Sequence, residues 1–200
     1  MMENFTLENF EWINQPQKFV IDHNLLLIET EPGTDLWQQT YYGFQNDNAP
    51  AFITKLTGDF TFGAKTGFEG ASFLYDQCGV LLYIDNKTWV KISMEYQNER
   101  FSRLGSVVTN LGFSDWATTD IPSDIPEMWY RLSRHGQDFY IENSVDGISY
   151  LQMRMFHIHE ILDEVRVGVY ACSPLKSSFN AVFSEFKTGA CLWPEYKNQK

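Results

Sequence analysis

The sequence predicts an all-β chain folded as a sandwich of two antiparallel sheets, and three observations carry the prediction. Short apolar or alternating runs recur along the 200 residues, about a dozen in all, each closed by Gly, Asn, Asp or Pro. The clearest of them, TWVKISMEY at residues 88–96, has period two. It puts Trp89, Lys91, Ser93 and Glu95 on one face and Val90, Ile92, Met94 and Tyr96 on the other. Finally, no stretch sustains the 3.6-residue period of a long amphipathic helix.

Taken in order, residues 5–13 read as a short terminal strand, followed by a turn at Gln15-Pro16-Gln17. Residues 18–22 and 25–30 make a hairpin across His23-Asn24. Residues 36–50, aromatic and then Asn/Asp-rich, lack a period and are expected to form a long loop with a little helix. Strands resume at 51–56 and 59–65, and the central hairpin turns at Asp85-Asn86-Lys87. Residues 101–110 are a strand, 112–116 an exposed turn, and 120–126 a Pro-punctuated linker. Strands follow at 128–134, 139–143, 150–155, 165–171 and 180–186. The one helical turn is expected at 158–162, and the tail 192–200 is placed on the surface. No repeat or dividing linker appears, so residues 1–200 are expected to form one domain.

Composition narrows the function classes. A net charge of −11 repels nucleic acid and anionic membranes. The N-terminal residues lack the basic and apolar regions of a secretory signal, and no apolar run reaches membrane-spanning length. A soluble, cytoplasmic protein is the expectation. Cys78, Cys172 and Cys191 are widely spaced and read as reduced, packed thiols. His157-x-His159 lacks a third ligand at a telling distance, so no metal is expected. With no GxSxG, Walker A or GxGxxG motif, no cofactor is expected either.

Candidate binding residues start with the polar stripe. Trp89 to Glu95 spans about 20 Å and offers an aromatic platform, a cation and a carboxylate to an extended, hydroxyl-rich ligand. Ser114, Asp115 and Trp116 are held by a turn suited to walling a cleft. Arg131, sharing a face with Trp129 and Ser133, supplies a rigid donor fork. Glycoside hydrolysis needs two carboxyl groups about 5–9.5 Å apart. The central strand has no Glu-x-Asp pair, and Asp76 with Glu95 is the pair a fold could bring together.

Five blocks extend this reading: Asp76-Gln77-Cys78-Gly79-Val80-Leu81, Trp89-Val90-Lys91 with Glu95-Tyr96, residues 106–110, Phe113-Ser114-Asp115-Trp116 and Tyr170-Ala171-Cys172-Ser173-Pro174. In this order, from about Phe10 to Phe186, the chain resembles the YesU-like, enolase-regulator-like domain family of unknown function. The resemblance implies a concanavalin A-like jelly roll. It also implies a shared cleft on the concave sheet for Asp76, Gln77, Trp89, Lys91, Glu95, Thr109, Ser114, Asp115 and Trp116. Cys78 departs from the family's usual Ala and serves equally as a small buried residue. The expected partner is a saccharide or other polar small molecule. An enzyme acting on a sugar is the alternative, with Glu95 and Asp76 as acid/base candidates and Lys91 or Arg131 orienting the substrate. A regulator that binds another protein is the third expectation.

Overall fold

Apolar residues at alternate positions of a strand bury one face, and stacking two such faces makes a sandwich. The computed structural model describes residues 2–159 and 161–193. In chain order its strands are β1 (Met2–Asn4), β2 (Glu11–Ile13), β3 (Phe19–Asp22), β4 (Leu25–Glu29), β5 (Leu36–Gln38), β6 (Gln45–Asp47), β7 (Ala51–Thr57), β8 (Phe60–Gly67) and β9 (Gln77–Asp85). They continue with β10 (Thr88–Tyr96), β11 (Phe101–Asn110), β12 (Phe113–Pro122), β13 (Glu127–His135), β14 (Asp138–Ser144), β15 (Leu151–His157), β16 (Glu164–Cys172) and β17 (Asn180–Gly189).

One sheet runs β15-β14-β13-β8-β17-β4-β3, with β1 also on β17; the other runs β12-β11-β10-β9-β16-β7-β2. Every ladder between these strands is antiparallel. This is the antiparallel two-sheet sandwich that the turn spacing predicts, in keeping with the jelly roll that the family resemblance implies. The hairpin across His23-Asn24 also forms where expected.

Val80, Leu82, Val90, Ile92 and Met94 face Phe62, Tyr130, Leu132 and Phe183 in the core between the sheets. Gly79 sits opposite Ser93 in the middle of its sheet, where a Cβ would lie 1.7 Å from the Ile92 carbonyl oxygen. Only glycine fits that close approach.

Elsewhere the structure departs from the sequence reading. Residues 36–50 contain no helix; β5 and β6 form a separate two-stranded hairpin. Residues 113–122 are a strand of full length rather than a turn and linker, and the turn falls one step earlier, at Leu111-Gly112. Residues 158, 159 and 161–163 form no helix, because Ile158 is buried and its N–H donates to Gln137 O instead. The tail from 194 onward lies outside the described residues.

A cross-sheet clasp closes one edge of the sandwich. Arg154 on β15 donates two hydrogen bonds to Asp115 on β12, at 2.8 and 2.7 Å, and others to Ser106 O and Oγ on β11. Arg154→Ala is expected to cost about 1 kcal/mol, the Asp115 end being solvent-screened, and to speed amide exchange at β12. A thermal melt and hydrogen exchange check both.

Candidate functional site

Residues on the outer face of the seven-stranded sheet belong to strands that the ladders align row by row. Lys91 pairs with Val107 on one side and Leu81 on the other. Glu95 pairs with Arg103 and Gln77, and Trp116 faces Val107. This face is not open. The β5–β6 hairpin folds over part of it and buries a second apolar cluster of Leu36, Trp37, Leu81, Trp89, Val107 and Tyr170.

The hairpin is pinned at both ends. The Gln38 N–H donates to Ser114 Oγ at 2.9 Å, and Ser114 in turn bonds Thr109 Oγ1 at 2.7 Å. At its base the Lys91 ammonium donates to Asp35 Oδ1 at 2.9 Å, which the Leu36 N–H also reaches at 2.8 Å.

Beside the hairpin the face remains open as a groove of about 380 Å³. Its floor is Lys91, Glu95, Gln77 and Val107, with Asp35 at the hairpin base. Trp37, Tyr42, Phe44 and Asn46 form one wall, while Trp116, Tyr75, Pro174 and Leu175 complete the rim. Tyr42 stacks on Phe44 with ring centroids 5.5 Å apart and meets Trp37 edge-on at 5.6 Å. Across the groove Trp116 is backed by the Arg103 guanidinium, 5.3 Å from its ring.

Electrostatically the floor is a buried ion pair beside a weakened acid. Burial pulls the Lys91 ammonium down, but Asp35, Cys172 and Glu95 together outweigh it and the net shift is upward. Lys91 is therefore a fixed cation at neutral pH. Burial pushes the Glu95 carboxyl up to about 7, with Asp35 adding to the rise and Lys91 and Arg103 opposing it. Near neutrality Glu95 can donate a proton or accept a hydrogen bond. One of its oxygens accepts from Gln97 Nε2 at 2.8 Å, and the other takes no hydrogen bond from the described residues.

The sequence-predicted residues divide. Gln77, Lys91, Glu95 and Trp116 line the groove together. Trp89 is fully buried under the hairpin, and Thr109 and Ser114 serve as its anchors, so these three shape the site from beneath rather than touch its contents.

Asp76 is buried as a loop brace: it accepts from the Ser72 and Phe73 N–H groups and from Ser177 Oγ at 2.6 Å. Asp115 is next to Trp116 in sequence, so strand alternation turns it to the opposite face, where it meets Arg154.

Arg131 lies on β13, in the other sheet. Its guanidinium sits 3.4 Å from the Tyr150 ring centroid, in a separate pocket with Trp129. It cannot share a cleft with Lys91 because β13 belongs to the eight-stranded sheet. His157 bonds Asp138 at 2.6 Å, and no metal-holding group of side chains occurs among the described residues.

Sequence reasoning missed Asp35, Trp37, Tyr42 and Phe44. Residues 36–50 carry the aromatics of a wall, but only their position over Lys91 reveals the role.

Residues 12–191 match a family described as "Protein of unknown function (DUF1349)". The chain belongs to the DUF1349 family. A relative, "Regulation of enolase protein 1" of Saccharomyces cerevisiae, is 30% identical over 191 residues, covering 95% of this chain and 94% of that one.

A solved structure of a functionally unknown protein from Saccharomyces cerevisiae superposes with a TM-score of 0.87 at 28% identity, over 94% of this chain and 100% of that chain. A Bacillus licheniformis GH43 protein, the BlXynB K247S mutant, gives a TM-score of 0.72 at 14% identity, over 94% of this chain and 38% of that one. At that identity the likeness is one of fold. No helix among the described residues is long and apolar enough to cross a membrane.

Proposed function

We propose that this DUF1349 chain binds a saccharide in the groove beside the β5–β6 hairpin. One observation carries the reading: aromatic walls at Trp37, Tyr42, Phe44 and Trp116 flank a floor of buried, hydrogen-bonding charges at Asp35, Lys91 and Glu95. Sugar rings present apolar C–H faces and polar edges, and such a site meets both. A GH43 protein and a xylan beta-1,4-xylosidase share the fold, which agrees with the reading at the level of architecture only.

Isothermal titration against a broad panel of neutral and acidic oligosaccharides tests it. Binding is expected to weaken about tenfold in Trp116→Ala, the loss of one aromatic contact. No binding across the panel by folded protein would defeat the reading. It would turn the search to protein partners, the role in keeping with the yeast relative's name.

A second reading, acid/base chemistry on the bound sugar, is favoured by Glu95, whose carboxyl titrates near 7 in a groove. Mass analysis of the panel after incubation separates the two readings. Conversion that Glu95→Gln abolishes makes the protein an enzyme, and unchanged sugars make it a binder.

A further inference from the structure

The charges on the groove floor are already matched, and this bears on which sugars fit. Lys91 is the one cation among the residues that line the groove, its side chain is 5% exposed, and it is held 2.9 Å from Asp35 Oδ1. Arg103 is not among the lining residues: its guanidinium lies 5.3 Å from the Trp116 ring, its Nε is 3.8 Å from Asp120, and its charge is already set against Glu95, its cross-strand partner. Facing Lys91 and Glu95 from neighbouring elements are Asp35 at the hairpin base, Arg103 on β11, and Tyr170 and Cys172 on β16. Burial raises both Tyr170 and Cys172 well above their ordinary ranges, so they stay neutral.

A carboxylate entering the groove would join Asp35, and Glu95 once it is ionised, around a single ammonium. Like charges in a poorly solvated site repel strongly, and no uncommitted cation is there to offset them. The protein's net charge of −11 adds a longer-range term of the same sign.

Hydroxyl groups meet the opposite situation. Lys91 gives one of its three N–H donors to Asp35 and lies 6.0 Å from the Tyr170 ring centroid, and its other two donors meet no hydrogen-bond acceptor among the described residues. Asp35 Oδ2 likewise receives no hydrogen bond from them. Together with the second Glu95 oxygen and the Asn46 amide, the groove alternates donors and acceptors as vicinal hydroxyls do.

We infer that the groove selects uncharged sugars and rejects their uronic acid counterparts, an inference that rests on the saccharide reading above. Asp35 is the residue that sets this preference, because its carboxylate already neutralises the ammonium with which a ligand carboxylate would pair.

The test is calorimetric titration of the wild-type full chain with matched pairs: cellobiose, galactobiose and mannobiose, each against the same disaccharide oxidised to the C6 carboxylate. The expected result is neutral-sugar affinity at least about tenfold above the uronate, with the gap narrowing as salt is raised. Asp35→Asn, where it folds, is expected to shrink or invert the gap by freeing Lys91. Equal or tighter binding of the uronates by wild type overturns the inference while leaving the saccharide reading intact. Binding of no sugar, neutral or acidic, overturns the reading and the inference with it.

Discussion

Asp35→Ala will lower the stability of this protein by about 3–5 kcal/mol, the cost of stranding one member of a buried ion pair. The Lys91 and Asp35 side chains are 5% and 14% exposed, so little water is available to replace the lost partner. The change also removes the acceptor of the Leu36 N–H, which fixes the start of the hairpin. Guanidinium unfolding would show the drop as a lower midpoint at unchanged slope.

Salt should leave the difference nearly intact, since buried pairs are poorly screened. Replacing both partners together, Asp35→Leu with Lys91→Met, is expected to recover most of the loss because no buried charge then remains. A single-mutant loss under about 1 kcal/mol would mean the pair behaves as a solvent-screened surface contact, and its description as a buried ion pair would be wrong.

Glu95 gives the second large effect, visible as a slope in pH. Its carboxyl has an ordinary value of 4.5 and is pushed to about 7 in the folded protein, first by burial and then by Asp35, against the pull of Lys91 and Arg103. Between those values the folded state holds a proton that the unfolded state has released. Stability contributed by the protonated acid is therefore fully present below about 4.5, and it declines as pH rises towards about 7. Above that it is flat.

The total decline is on the order of 3 kcal/mol at 1.36 kcal/mol per pH unit. Glu95→Gln keeps the shape and removes the charge, so its stability should be level across the window and exceed that of wild type above it. Denaturation of both proteins at a series of pH values checks this. Parallel curves would show that Glu95 ionises freely, as a solvated carboxylate does.

Much of the architecture was legible because strand alternation is local. The period along residues 88–96 places Lys91 and Glu95 on one face and the inter-sheet core on the other, as the structure has them. What could not be read is what covers that face. Trp89 looks like a ligand platform from its position beside Lys91, but it is sealed under β5 and β6, which come from about 50 residues earlier in the chain and show no period of their own.

Asp35 was missed for the same reason, since it lies 56 positions from the lysine it pairs with. Arg131 was misplaced because alternation assigns a face within a strand but not the sheet to which the strand belongs. Asp115 shows the cost of reading a turn where a strand begins: as part of a turn it shares a cleft with Trp116, and as part of β12 it points the other way.

The central claim, that the groove beside the hairpin is the binding site, is tested most directly by the tryptophan indole N–H signals in heteronuclear NMR. Titration with neutral oligosaccharides to about 10 mM detects even weak association. Movement of Trp116 and Trp37, which line the groove, with Trp12 and Trp129 unmoved, is the predicted result. Movement of Trp129 alone, beside Arg131 on the other sheet, or stillness of every indole, would contradict it.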